Sequence, residues 1–126
     1  VADSTPAKRA DQKIKKEDAD AGLTLELTKT KDILKSLGAI KKEKQILVGF
    51  ALETVNEKEY ALKNLAVKNA DMIVLNSLND KGAGFGHDTN KITIFQKDGR
   101  ELHFETKSKE DVAKDIVDTI INSYYA

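Results

Sequence analysis

The stretch NDKGAGFGHDTNKI, residues 79–92, sets Gly82, Gly84 and Gly86 within five positions and follows them with His87, Asp88 and Asn90. Glycine turns can bring backbone amides up to a phosphate when a strand precedes them and a helix follows. Here the spacing is G-x-G-x-G, no G-K-[ST] is present, and the next residues, KITIF, read as a strand. Local spacing therefore favours a sharply turned surface loop over a phosphate cradle. A second candidate is Lys13 in KIKK: a lysine on a flexible segment can close over negative charge developing at phosphorus. Composition alone favours a solvated lysine in a charged tail. His103 alternates with Leu102 and Phe104 on the side of Glu101 and Glu105, which reads as exposed, and His87 falls in the glycine loop. Neither has the facing carboxylates or histidines that a zinc site needs, so no metal ligands are assigned.

The elements that must position these residues fit one domain of 126 residues, 40% of them hydrophobic. Lys plus Arg equals Asp plus Glu at 21 each, which argues against a general nucleic-acid binder. Without cysteine there is no disulfide and no thiolate chemistry, which is compatible with a cytoplasmic setting. The longest apolar run, ILVGFAL, is too short to cross a bilayer, and no secretory leader is evident.

Residues 4–22 carry many charges and few apolar side chains, so a mobile loop is expected there. LTLELT (23–28) alternates like a half-buried strand, and Thr30 is placed to cap a helix through Ile33, Leu34 and Leu37 that stops near Gly38. QILVGFAL (45–52) reads as a strand covered on both faces. Asn56 and Glu59 have capping-box spacing for a helix over 57–69, and DMIVLN (71–76) is another buried strand. KITIFQ and ELHFET flank Asp98-Gly99, a tight-hairpin signal. Ser108 starts a last helix with Val112, Ile116, Val117, Ile120 and Ile121 as its buried stripe. This order predicts an α/β three-layer domain with a mainly parallel sheet, a C-terminal hairpin and a helix. Ligands then belong beyond the strands' carboxyl ends, near 28–32, 50–54 and 76–80.

VAD, KIKK, ILVGFALET, EYALKNLAVKNADMIVLN and GAGFGHDTNKITI together resemble the C-terminal half of bacterial phosphopantothenate–cysteine ligases, from Val1 to about Ile121. The resemblance implies a Rossmann-like, dimerising domain that lacks its N-terminal half here. Residues 1–22 would be a catalytic flap, and 23–126 the C-terminal part of the nucleotide-binding synthetase domain. It also implies the reaction. The carboxylate of 4'-phosphopantothenate attacks the α-phosphate of CTP, with Mg²⁺ accompanying the nucleotide, and cysteine then displaces CMP. FMN would belong only to a decarboxylase domain outside this chain.

By the same resemblance Lys13, ten positions after Asp3, is the catalytic lysine, and Asp3 is a nucleotide-binding aspartate. Lys31, Asp32, Ile33 and Leu34 correspond to a Pro-Asp-Ile-Val nucleotide contact, with Lys31 replacing the proline. Phe50 is a nucleotide-contacting phenylalanine at a strand's carboxyl end, and Lys68 is a second cationic contact. Asn64 stands where the family has a lysine, one helical turn before Lys68; Lys63 points about 100° away around the helix. The glycine loop becomes a shaping feature, with Asp88 and Asn90 holding it. The expected partners are 4'-phosphopantothenate, cysteine, CTP and a second copy of the chain, with no nucleic acid or membrane. The isolated piece is expected to be inactive. The rival reading is a non-catalytic nucleotide-binding or dimerisation module of the same fold, and ATP in place of CTP is a third.

Overall fold

The computed structural model describes residues 2–15, 22–77 and 88–125. Gly82, Gly84, Gly86 and His87 lie outside the described residues. The chain divides into two compact units, Val1–Ile33 and Leu34–Ala126.

In the first unit β1 (Ser4–Pro6) pairs antiparallel with β2 (Leu27–Lys29), Thr5 opposite Thr28. Bonds from Ala7 N to the Glu26 carbonyl and from Thr30 N to the Asp3 carbonyl, both 2.9 Å, extend the ribbon. β1 thus lies inside the stretch that composition assigns to a mobile loop, because β2 supplies partners that local composition does not reveal. The strand at 23–28 shortens to 27–29 and buries no face: Leu23, Leu25 and Leu27 all stay exposed. Thr30 does not cap the following helix; its hydroxyl donates to the Ala2 carbonyl at 2.6 Å.

The next elements are α1 (Ile33–Ile40), β3 (Val48–Glu53), α2 (Glu57–Val67) and β4 (Met72–Ser77). After them come β5 (Thr89–Asn90), β6 (Ile92–Gln96), β7 (Glu101–His103), β8 (Lys107–Ser108) and α3 (Lys109–Tyr124). The main sheet has the order β3-β4-β6-β7; β5 and β8 form a separate antiparallel pair. Among the described residues only β3–β4, joined through the α2 crossover, runs parallel, Phe50 opposite Val74. β4–β6 and β6–β7 are antiparallel, so the sheet is mixed rather than mainly parallel. The hairpin turns as expected at Asp98-Gly99, with Gly99 at φ 96° and the Asp98 carboxylate accepting from Arg100 N at 3.0 Å.

The three layers are present. Ala61 and Leu65 of α2, with Leu34 of α1, cover Ile73, Leu75 and Phe95 on one face. On the other face Val112, Ile116, Ile120 and Tyr124 of α3 cover Met72, Val74, Ile92 and Ile94. β4 and its neighbour β6 are both buried on both faces, which explains the continuous apolar run of β4. β3 resembles it in sequence but is an edge strand among the described residues: Phe50 is 71% exposed and Leu52 is also uncovered.

Three helix expectations change. α1 continues through Gly38, which is buried rather than a stop. Asn56 precedes α2 in the left-handed region, φ 49°, without a side-chain cap, so no capping box forms. On α3, Ser108 caps as expected, accepting from Asp111 N at 3.1 Å, but Val117 and Ile121 face solvent. The buried stripe is narrower and is completed by Thr119 and Tyr124.

Candidate functional site

In the first unit the ribbon fixes the backbone around Asp3. Its carbonyl accepts from Thr30 N, while its side chain stays exposed. Lys13 lies past the paired residues, exposed and outside regular structure. Lys31 and Asp32 are exposed just before α1, and Ile33 opens that helix.

In the second unit Leu34 is committed to packing: a Cβ added to Gly49 would meet its Cδ2 at 2.6 Å. Gly49 and Ala51 face the layer of α1 and α2, so Phe50 and Leu52 project toward the α3 side. Phe50 is mid-strand, not at the carboxyl end, with Ala51, Leu52 and Glu53 following it in β3. Its ring is open because α3 lies over β4 and β6.

Asn64 and Lys68 are half-buried, one turn apart on α2, with Lys68 N donating to the Asn64 carbonyl at 3.0 Å. Lys68 caps the C-terminal end of α2, since that helix runs back from the carboxyl end of β3. The Phe50 side chain and the Asn64–Lys68 row therefore belong to opposite faces of the sheet. They do not converge on one surface.

Sequence reasoning missed a polar group at the carboxyl end of β4. Ser77 is buried and its hydroxyl donates to Glu57 Oε1 at 2.7 Å, tying the start of α2 to that strand end. Asn76 Nδ2 reaches Asn90 Oδ1 at 3.5 Å, and Asn76 Oδ1 is buried with no hydrogen-bond partner among the described residues. Asp88 accepts Lys109 N at 2.9 Å through its carbonyl. Asp88 and Asn90 thus hold the residues that follow the glycine stretch. The available signal was the position of Asn76-Ser77 at a parallel strand's carboxyl end.

At the other end of β4 the Asp71 carboxylate accepts from Lys41 Nζ and from Leu47 N, both at 2.8 Å, and Tyr124 OH donates to the Asp71 carbonyl at 3.2 Å. His103 is exposed, as its alternation predicts; its Nε2 lies 2.9 Å from Glu101 Oε1. The Lys58 ammonium on the same carboxylate holds Glu101 below the usual carboxylate range, and His103 adds to this. Among the described residues no group of three His, Asp or Glu side chains is placed to hold a metal ion, and no helix is long and apolar enough to cross a membrane.

A family model described as the DNA/pantothenate metabolism flavoprotein C-terminal domain matches residues 1–124. Coenzyme A biosynthesis bifunctional protein CoaBC of Bacillus subtilis (strain 168) is 54% identical over 120 residues, 95% of this chain and 29% of that protein. A cysteine/cysteine sulfinic acid decarboxylase of an unknown prokaryotic organism is 50% identical over 121 residues, 96% of this chain and 33% of that protein. A crystal structure of the C-terminal domain of a CoaBC protein superposes with a TM-score of 0.68 at 37% identity, covering 95% of this chain and 48% of that one. The chain thus spans 29% and 33% of the two relatives and 48% of the solved domain.

Proposed function

The chain belongs to the DNA/pantothenate metabolism flavoprotein C-terminal domain family, and from that premise we propose that it is the C-terminal part of a CTP-dependent ligase. The ligase joins 4'-phosphopantothenate to cysteine in coenzyme A biosynthesis. The observation that carries this is the 54% identity, over 120 residues, to a protein named for that pathway.

In the first step a carboxylate oxygen of 4'-phosphopantothenate attacks the α-phosphorus of CTP, and the bond to pyrophosphate breaks. In the second the cysteine amine attacks the acyl carbon, CMP leaves, and the amine loses a proton. Lys13 stabilises the negative charge on the α-phosphate oxygens, an ammonium being worth most where water is excluded. The family resemblance assigns nucleotide contacts to Asp3, Lys31, Asp32, Ile33, Leu34, Phe50, Asn64 and Lys68. Within the second unit Phe50 and the Asn64–Lys68 row lie on opposite faces of the sheet, so in this reading they do not share one contact surface. Mg²⁺, when bound with the nucleotide, would offset the charge of the triphosphate. The open edge of β3 supports an incomplete domain: an exposed strand edge with apolar flanks calls for further chain beside it. The isolated piece is accordingly inactive, and the full protein works in the cytoplasm as a dimer or higher oligomer.

The test is pyrophosphate release by the full-length protein given CTP, Mg²⁺, 4'-phosphopantothenate and cysteine, with ATP in parallel and a Lys13→Gln variant. Release with CTP that Lys13→Gln abolishes supports the ligase. Carbon dioxide release from cysteine alone, without nucleotide, would instead extend the activity named for the second relative to this protein.

A further inference from the structure

The connection from α1 to β3 begins KKEKQIL, residues 41–47. Lys42 N donates to Gln45 Oε1 at 2.9 Å and Gln45 N to the Lys42 carbonyl at 3.0 Å, which closes a turn. Between this turn, the end of α1 and Tyr125 after α3 lies a hollow of about 600 Å³, within the second unit. That size falls in the range of small-molecule sites. It adjoins the amino ends of β3 and β4, away from the carboxyl ends where the parallel pair would receive a nucleotide. Leu37, Ile40, Leu47 and the Tyr125 ring form an apolar wall, and Lys41, Lys42 and Lys44 a cationic rim. Ile40 and Tyr125 are 73% and 71% exposed, so the wall is open to an occupant.

The charges of the rim are unequal in their surroundings. Lys41 is nearly buried and gives one of its three donors to Asp71 Oδ2 at 2.8 Å, so its charge is balanced within the fold. Lys42 and Lys44 are exposed, and among the described residues no carboxylate lines the hollow to oppose them. Glu43, between them in sequence, is not part of the lining. A cation is therefore repelled, and a neutral hydrocarbon leaves the ammonium groups unanswered. A triphosphate would answer the charge but leave the wall bare. The wall is mostly aliphatic, and the lysine stems extend it. These features suit a single hydrocarbon chain with an anionic end. We propose that the hollow binds a medium-chain carboxylate, its head between Lys42 and Lys44 and its tail along Leu37, Ile40, Leu47 and Tyr125. None of the residues assigned to the nucleotide lines the hollow, so this site stands independently of the ligase reading. A bound chain would bridge the end of α1, the start of β3 and the end of α3, and so stabilise the folded state by mass action.

The experiment is calorimetry of octanoate, hexanoate and octanol with the full-length protein, for the wild type, Lys42→Gln/Lys44→Gln and Ile40→Ser. Thermal unfolding is followed on the same samples. The three substituted side chains are exposed, so the variants should unfold like the wild type when no ligand is present. Octanoate should bind the wild type at a single site per chain and about tenfold more tightly than hexanoate, the two extra methylenes being buried against the wall. The double variant should raise the Kd of octanoate by about fivefold or more and leave that of octanol nearly unchanged, because only the head loses its partners. Ile40→Ser should weaken octanoate and octanol alike. Octanoate should also raise the Tm of the wild type more than that of the double variant. A wild type that binds no octanoate overturns the proposal, as does a double variant that keeps the wild-type preference for octanoate over octanol. Equal binding of hexanoate and octanoate overturns it too, since the tail would then lie outside the hollow. So does binding to vesicles of anionic phospholipid without binding of octanoate, which would make this face a membrane contact.

Discussion

Gly38 lies directly against the Lys68 carbonyl: a Cβ built at Gly38 would collide with the Lys68 oxygen and stand 2.8 Å from its carbon. Asn69, left-handed at φ 51°, completes the junction by donating Nδ2 to the Gly38 carbonyl at 3.0 Å. The obstruction is backbone, which cannot swing aside, so Gly38→Ala must push α1 away from the end of α2. It should cost about 1–3 kcal/mol in urea unfolding. At Gly49 the obstructing atoms are the ends of the Leu34 and Ile73 side chains, at 2.6 and 2.8 Å, which can rotate. Gly49→Ala should therefore cost less, and equal losses would sink this account of Gly38.

That junction also marks the limit of what the sequence discloses. Gly38 reads locally as a helix stop, because its reason for being glycine lies thirty residues away. The layers were legible where a signal is periodic and local: the Asp98-Gly99 hairpin, the Ser108 cap, the buried run of β4. β3 carries the same kind of apolar run, yet its strand position exposes Phe50, and strand order depends on pairing partners that no window of sequence contains. The antiparallel β4–β6 pairing escaped for the same reason. For the site, the family resemblance named residues, but their distribution over two units and two sheet faces is a property of topology. Lys41–Asp71 and Ser77–Glu57 were unseen because each joins segments twenty to thirty residues apart.

Asp71 serves two donors at once, Lys41 Nζ and Leu47 N, with side-chain exposures of 11% and 17% for the ion pair. Asp71→Ala strands a nearly buried ammonium and a backbone amide together. It should cost about 3 kcal/mol or more, read as a lower urea midpoint at unchanged slope. Lys41→Met leaves the carboxylate bonded to Leu47 N and keeps the packing of the stem, so it should cost clearly less. The reverse order would show that the lysine, not the aspartate, organises this end of the sheet.

Asn64→Lys would place two ammonium groups one turn apart on a half-buried flank of α2. In the full-length protein it should tighten CTP binding several-fold at low salt, and the gain should fade as salt screens it. Without nucleotide the like charges should lower stability by a few tenths of a kcal/mol. Calorimetry of CTP at two ionic strengths distinguishes this from Lys63→Gln, which points elsewhere on the helix and should change little. Unchanged affinity in Asn64→Lys would mean that the triphosphate does not approach α2.

Tyr124 donates to the Asp71 carbonyl from beneath α3, and burial, then the nearby Asp71 and Asp98 carboxylates, raises its phenol above the usual 10.0. The folded state therefore holds this proton more tightly than the unfolded chain does. Its contribution is fully present below pH 10.0 and is lost as pH rises through the higher folded value. Tyr124→Phe removes the hydrogen bond, costing about 1 kcal/mol near neutrality, and removes the titration as well. Urea midpoints followed from about pH 8 to about pH 11 should thus fall more steeply for the wild type than for Tyr124→Phe, the lysines common to both cancelling in the difference. Parallel curves would mean that the phenol ionises as easily in the folded protein as in water, and that Tyr124 does not seal this end of the core.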